Sequence, residues 1–122
     1  MTTPTHLPPP ALSHVCDLTV FVSAPVEAGS VQGISTQGKR RIVPNTGGSH
    51  VYVQNSALRR GSAQDIARLV RGEPVPPERI YFRCVPRFEV ENPAHAWMTH
   101  SIFVGTGARF SDRVEISFFE LL

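Results

Sequence analysis

Cysteine is scarce in this chain: Cys16 and Cys84 are the two in 122 residues. They form no CxxC, so no disulfide framework is implied and both thiols are expected to be reduced. Charge is thin as well, at 18% of residues and a formal net of +2. That balance is too weak to suggest a nucleic-acid or membrane partner. The two cationic runs, Lys39-Arg40-Arg41 and Arg59-Arg60, are short and carry no interleaved aromatics, so they read as solvated or locally paired charge. No apolar run approaches the roughly 20 residues of a membrane helix. The stretch Met1 to Ser13 has no basic region, no apolar core and no arginine, which argues against a signal or transit peptide. The expected location is the cytosol.

Proline and glycine are plentiful, with eleven and nine residues. They favour short elements and frequent turns over long helices. The length fits one domain with one core. Residues 1–14, Thr/Pro-rich with Pro8-Pro9-Pro10, read as a disordered arm, and 15–122 as a single domain. Asp17 to Ser23 alternates as a strand, with Leu18, Val20 and Val22 on one face. Ala24 to Gly38 reads as a long loop or weak hairpin, Arg41 to Val43 as the start of a strand that Pro44 and the Asn45 to Gly48 run end, and His50 to Gln54 as a third short strand.

Ser62 to Arg71 reads as a helix: Ser62 is the N-cap, Ile66, Leu69 and Val70 form the core stripe, and Gly72 then Pro74 end it. Ile80 to Val85 is strongly β, with Pro86 breaking or bulging it. Ala96 to Val104 and Val114 to Leu122 read as strands, with Gly105-Thr106-Gly107 as a turn. Many short strands and one short helix predict a mainly β fold: a small antiparallel β-barrel, or an incomplete barrel or curved sheet.

Candidate chemistry is sparse. His95 and His100 are five apart, so on one strand they would face opposite sides; with His50 they make no metal site. Cys84 sits in an apolar strand, where it behaves as a small hydrophobe. No carboxylate or histidine stands out as a general base, which leaves open whether the protein is an enzyme, and no cofactor is implied. The arginines are more informative. Arg83 shares a strand face with Tyr81, while Phe82 and Cys84 occupy the other. An apolar surface with a few polar anchors is how a ligand pocket reads, and a guanidinium can grip an anion bidentately. The competing reading pairs Arg83 with Glu89, Glu91 or Glu120. Trp97, the single tryptophan, reads as core or as a pocket wall.

Several stretches together resemble one family. Gly38 to Gly48 (GKRRIVPNTGG), Tyr52 to Gly61 (YVQNSALRRG), Arg71 to Val75 (RGEPV), Tyr81 to Glu89 (YFRCVPRFE) and Trp97 to Gly107 (WMTHSIFVGTG) are similar, in order and spacing, to the uncharacterised family known as domain of unknown function 3237. Three departures stand out. Several strands of the family pattern are missing between Gly48 and His50, through divergence or an imperfect gene model; Ala57 replaces a glycine, and Thr99 an asparagine. The resemblance implies a small barrel that holds a small molecule, a lyase, isomerase or cyclase acting on a small acidic or aromatic metabolite. Arg83, Tyr81, Arg59, Trp97 and Arg41 are the candidate ligand-binding residues, with Arg83 expected inside the concavity, near Tyr81 and either Arg59 or Trp97. The alternative is an inactive member, shortened in its centre, that acts through self-association as a homodimer across open sheet edges.

Overall fold

The computed structural model describes residues 5–21, 39–42 and 51–122. Among these described residues six strands form one antiparallel sheet: β1 (Leu12–Phe21), β2 (Lys39–Ile42), β3 (Val51–Arg60), β4 (Tyr81–Val90), β5 (Phe103–Arg109) and β6 (Arg113–Leu121). Their spatial order is β1-β6-β5-β4-β3-β2. The fold is therefore mainly β, as the alternation and turn residues predict. Among the described residues β1 and β2 stand at opposite ends of the sheet and do not pair with each other. The expected loop over 24–38, the Asn45 to Gly48 run and His50 lie outside the described residues. No described helix is long and apolar enough to cross a membrane.

The core follows from strand alternation. Val51, Val53 and Ala57 of β3, Phe82, Cys84 and Phe88 of β4, Phe103 of β5, and Val114, Ile116 and Phe118 of β6 all point to one face and are buried together. Phe88 stands edge-on to Phe103 and Phe118, with ring centroids 5.2 and 5.8 Å away. Phe82, Phe103 and Phe118 lose essentially all contact with water; burial of one such side chain contributes roughly 1.5–3 kcal/mol.

Between β3 and β4 lies α1 (Ala63–Val70), capped by Ser62, whose Oγ accepts from the Asp65 amide at 3.1 Å. Gly72 ends it at φ +81°, with Glu73 N–H donating to Arg68 O and Gly72 N–H to Leu69 O. This paired-bond ending needs a left-handed residue, which glycine supplies at no steric cost. Ile66 and Leu69 are buried with Val75 against Ile80. Val70, expected in the same stripe, is 42% exposed; the buried face runs through Asp65, Ile66 and Leu69 instead, one position round the helix. Buried Asp65 receives Arg79 at two oxygens (2.6 and 3.1 Å) and Arg68 at 3.3 Å, tying the helix to the segment entering β4.

Four local expectations change. β1 begins at Leu12, inside the segment read as an arm, because Leu12 pairs with Leu121 and Leu122 N–H donates to Ala11 O. Pro86 does not end β4: it stands opposite Asn55 in an uninterrupted β3–β4 register. It lies past the described β4–β5 partners, Arg83↔Thr106 and Cys84↔Gly105, where a missing N–H breaks no rung on that side. The strand read over Ala96 to Val104 is instead a 3₁₀ segment, Pro93–Thr99, with β5 starting at Phe103. Asn92 caps that segment by accepting from Ala94 N–H, and Pro93 presets its first turn. Gly105-Thr106-Gly107 is consequently mid-strand in β5 and not a turn.

Candidate functional site

Alternation decides where each candidate side chain goes. Tyr81, Arg83, Val85 and Arg87 lie on the exposed face of β4, and Phe82, Cys84 and Phe88 on the core face. Tyr81 and Arg83 thus share a face as expected, with the Arg83 guanidinium 5.0 Å from the Tyr81 ring centroid. Arg83 is not in the interior and not beside Arg59: Arg59 is opposite Phe82 in the ladder and points into the core, 2% exposed. Trp97 sits in the 3₁₀ segment, 44% exposed, tilted against the core residue Phe103 at 6.0 Å. Arg41 pairs with Tyr52 through the backbone of β2; its side chain lies outside the described residues. The five candidates therefore do not form one cluster. Tyr81 and Arg83 make an outer pair, while Arg59 is inside.

The outer face is organised by a rung that crosses the sheet. Asp17 of β1 is opposite Ser117, Ser117 opposite Thr106, Thr106 opposite Arg83, and Arg83 opposite Leu58. Ser117 Oγ donates to Asp17 Oδ1 at 2.7 Å, and His14 Nε2 lies 2.8 Å from the same oxygen. These two bonds hold the Asp17 carboxyl below its ordinary value. At the other end Arg83 Nη1 donates to Thr106 Oγ1 and to Phe82 O, both at 2.9 Å. Among the described residues no carboxylate lies within ion-pairing distance of Arg83, so the expected alternatives Glu89, Glu91 and Glu120 do not pair with it. Its Nε and Nη2, the edge that takes a carboxylate bidentately, make no bond to a described residue.

Grooves flank this arginine. One, of about 720 Å³, is bordered by Leu12, Leu58, Val85, Val104 and Phe119, with Ser56, Tyr81, Arg83 and Thr106 as its polar members. Another, of about 510 Å³, is bordered by Arg60, Gly61, Glu78, Arg79, Tyr81 and Arg83. Arg60 lies over the Tyr81 ring at 4.4 Å, so two guanidinium groups share that ring.

The interior holds polar groups that sequence reasoning missed. Asn55 and Arg109 are buried along with Arg59. Burial lowers the Arg59 pKa, and the Arg109 charge lowers it further; burial lowers Arg109 as well, with Asp112 opposing. Cys84 is buried next to Asn55 and its thiol is pushed up by burial, which suits an inert core residue. Cys16 and Cys84 are both free thiols. Among the described residues no group of three His, Cys, Asp or Glu side chains could hold a metal ion. His95 and His100 lie at the 3₁₀ segment and its end, not on a strand.

Among the described residues, an unclosed antiparallel sheet whose buried face carries several phenylalanines, with one short α-helix between β3 and β4, defines a barrel-like β protein. The chain belongs to the family described as protein of unknown function (DUF3237), whose pattern matches residues 46–121. It is 45% identical over 75 residues to a UPF0311 protein of Rhodopseudomonas palustris, covering 62% of this chain and 49% of that protein. It is 44% identical, with the same coverage, to a UPF0311 protein of Bradyrhizobium diazoefficiens. The chain spans about half the length of these curated relatives it matches. In three dimensions it is similar to the crystal structure of a conserved protein of unknown function from Rhodopseudomonas palustris, with a TM-score of 0.76 and 31% identity over 96% of this chain and all of that one. A beta-barrel like protein from Acinetobacter baumannii shares the fold, at a TM-score of 0.63 and 22% identity over 98% of this chain and all of that one.

Proposed function

We propose that this protein binds a small acidic or aromatic metabolite on the outer face of its sheet, with the apolar part in the Leu58/Val85/Phe119 groove and the acid on Arg83. The observation that carries this reading is the state of Arg83. Its guanidinium is held by Thr106, the Phe82 carbonyl and the Tyr81 ring, yet no described carboxylate neutralises it. A cation pre-positioned at the rim of an apolar groove pays little ordering entropy when an anion arrives. The apolar groove itself is bordered by no carboxylate or histidine; the acids near Arg83, which are Asp17, Glu78 and Glu115, border the adjoining cavities instead, so binding is the reading put forward, ahead of lyase, isomerase or cyclase chemistry.

Thermal shift with matched acids and amides tests the proposal. Aryl and alkyl carboxylates should raise the melting temperature while their amides do not, since a ligand at 100 times its Kd stabilises by about 2.7 kcal/mol. Arg83→Gln should remove the response, and Arg83→Lys should weaken it about tenfold or more by losing the fork. Equal responses from acids and amides, or from wild type and Arg83→Gln, would defeat it. A second reading, self-association without catalysis, is favoured by the unjoined sheet ends β1 and β2 among the described residues. It requires a concentration-dependent dimer in light scattering together with no ligand response.

A further inference from the structure

Three arginines gather where the head group of such a ligand would sit, and they are not equivalent. Arg79 is committed: its Nε and Nη2 bond both oxygens of buried Asp65. Arg60 and Arg83 are not. Each lies over the Tyr81 ring, at 4.4 and 5.0 Å from its centroid, and neither forms an ion pair with a described carboxylate. Register explains the pairing: Arg60 is directly opposite Tyr81 across the β3–β4 ladder, and Arg83 follows Tyr81 by two residues on the same face. A guanidinium lying over a ring can still offer N–H groups to an anion, and at Arg83 the Nε and Nη2 groups make no bond to a described residue while Nη1 is used by Phe82 O and Thr106. Within the groove that Arg60 and Arg83 share, Glu78 is the one acid; Asp17 and Glu115 border the adjoining cavity that Arg83 also lines, and neither pairs with Arg60 or Arg83.

We infer that the head-group end of this site is built for a doubly charged oxyanion, the phosphate monoester of an aromatic or aliphatic alcohol, bridging Arg60 and Arg83 with its organic part in the apolar groove. The inference rests on the outer-face site proposed above and adds a second cation to it. A carboxylate saturates one guanidinium fork. A phosphate monoester presents three oxygens and close to two negative charges near neutral pH, enough to engage two forks at once. Both arginines lie against one tyrosine, which restricts where the two charges can go.

The test compares 1-naphthyl phosphate, 1-naphthoate and 1-naphthamide by calorimetry at pH 8, where the phosphate is dianionic. Naphthyl phosphate should bind about tenfold more tightly than naphthoate, and naphthamide not measurably. Arg60→Gln should bring the phosphate-to-carboxylate affinity ratio close to one, and Arg83→Gln should abolish binding of both acids. If naphthoate binds in an Arg83-dependent way but the phosphate binds no better, or Arg60→Gln leaves the ratio intact, the two-cation inference is overturned and the simpler anion site stands. If neither acid binds to the folded protein, both fall together.

Discussion

Replacing Gly105 with alanine adds a single methyl group and tests the close packing of β4, β5 and β6. A Cβ at this position would lie 2.5 Å from Cys84 Sγ, 3.0 Å from Phe118 Cδ1 and 3.2 Å from Ile116 Cγ2. The sulfur would have to retreat by about 1 Å to reach ordinary contact, in an interior packed as densely as a crystal. Phe118 is fully buried against Phe88 and offers no free volume. Overpacking of this kind costs roughly 1–3 kcal/mol. Alanine recovers about 0.4–1 kcal/mol by stiffening the unfolded chain; the 2.5 Å approach puts the overpacking cost in the upper half of its range, about 2–3 kcal/mol, so the net loss is expected to be about 1–2.6 kcal/mol. Urea unfolding followed by Trp97 fluorescence measures it. The closest clash is with sulfur, so Cys84→Ala should relieve it: the double mutant should be more stable than the sum of the singles by about 1 kcal/mol, within the range seen for contacting residues. A Gly105→Ala protein as stable as wild type, or a loss untouched by Cys84→Ala, would refute the close-approach account of this glycine.

The helix gives a graded pair: Leu69→Ala should cost about 2–5 kcal/mol because Leu69 is buried against Val75 and Ile80, whereas Val70→Ala, on the exposed side, should cost under about 1 kcal/mol. Equal melting temperatures for the two variants would mean α1 is not docked as described. Ser62→Ala should cost on the order of 1 kcal/mol through the lost cap, and Asp65→Ala roughly 1–3 kcal/mol, since Arg79 and Arg68 can turn to water once their partner is gone; a change below about 0.5 kcal/mol in urea would count against the clamp. The pH dependence has a definite sign at Asp17. Its folded pKa is lowered below 3.8 by the bonds from His14 and Ser117, so its stabilising contribution is present above 3.8 and is lost as pH falls through the lower folded value. Melting temperatures from pH 5 to 2.5 should therefore decline more steeply in wild type than in Ser117→Ala, and parallel curves would remove Asp17 from the account of acid stability.

Much of the sheet is legible because its strands alternate cleanly. Val114, Ile116 and Phe118 face inward as their spacing predicts, and so, more shallowly, do Leu18 and Val20. The failures share a physical cause. Between Trp97 and Val104 the apolar residues are dense enough to suggest a strand, but Asn92-Pro93 upstream is a helix-starting pair, and local capping prevails over the apolar run up to Thr99. Gly105 and Gly107 resemble turn glycines in composition alone. They sit in β5 because the side chains of neighbouring strands fill the space above them, and no single-chain pattern records the volume of a neighbour. Thr106, which positions Arg83, gave no signal for the same reason: its importance comes from being opposite Arg83 in a register that only the folded sheet defines.

The placement of the arginines turns on parity along two strands. In β3 the inward residues are odd-numbered, fixed by Val51 and Val53 at 0% and 1% exposure. Carried forward without a slip, that parity sends Asn55, Ala57 and Arg59 inward and Arg60 outward. The sequence conceals this because the second half of the strand places polar Asn55 and Arg59 on the core side, so hydrophobic alternation fades where the strand continues. In β4 the inward residues are even-numbered, fixed by Phe82, Cys84 and Phe88, and Arg83 must therefore face out. The expectation of an interior Arg83 went against its own strand, whose apolar neighbours already marked the other face as the core. Adjacent arginines at 59 and 60 cannot share a side of the sheet. One becomes a buried charge whose pKa is lowered by desolvation; the other joins Arg83 over Tyr81. The chain thereby divides its cations between an interior where charge is costly and an outer face where Arg60 and Arg83 lie over one tyrosine, and the proposed anion site rests on that division.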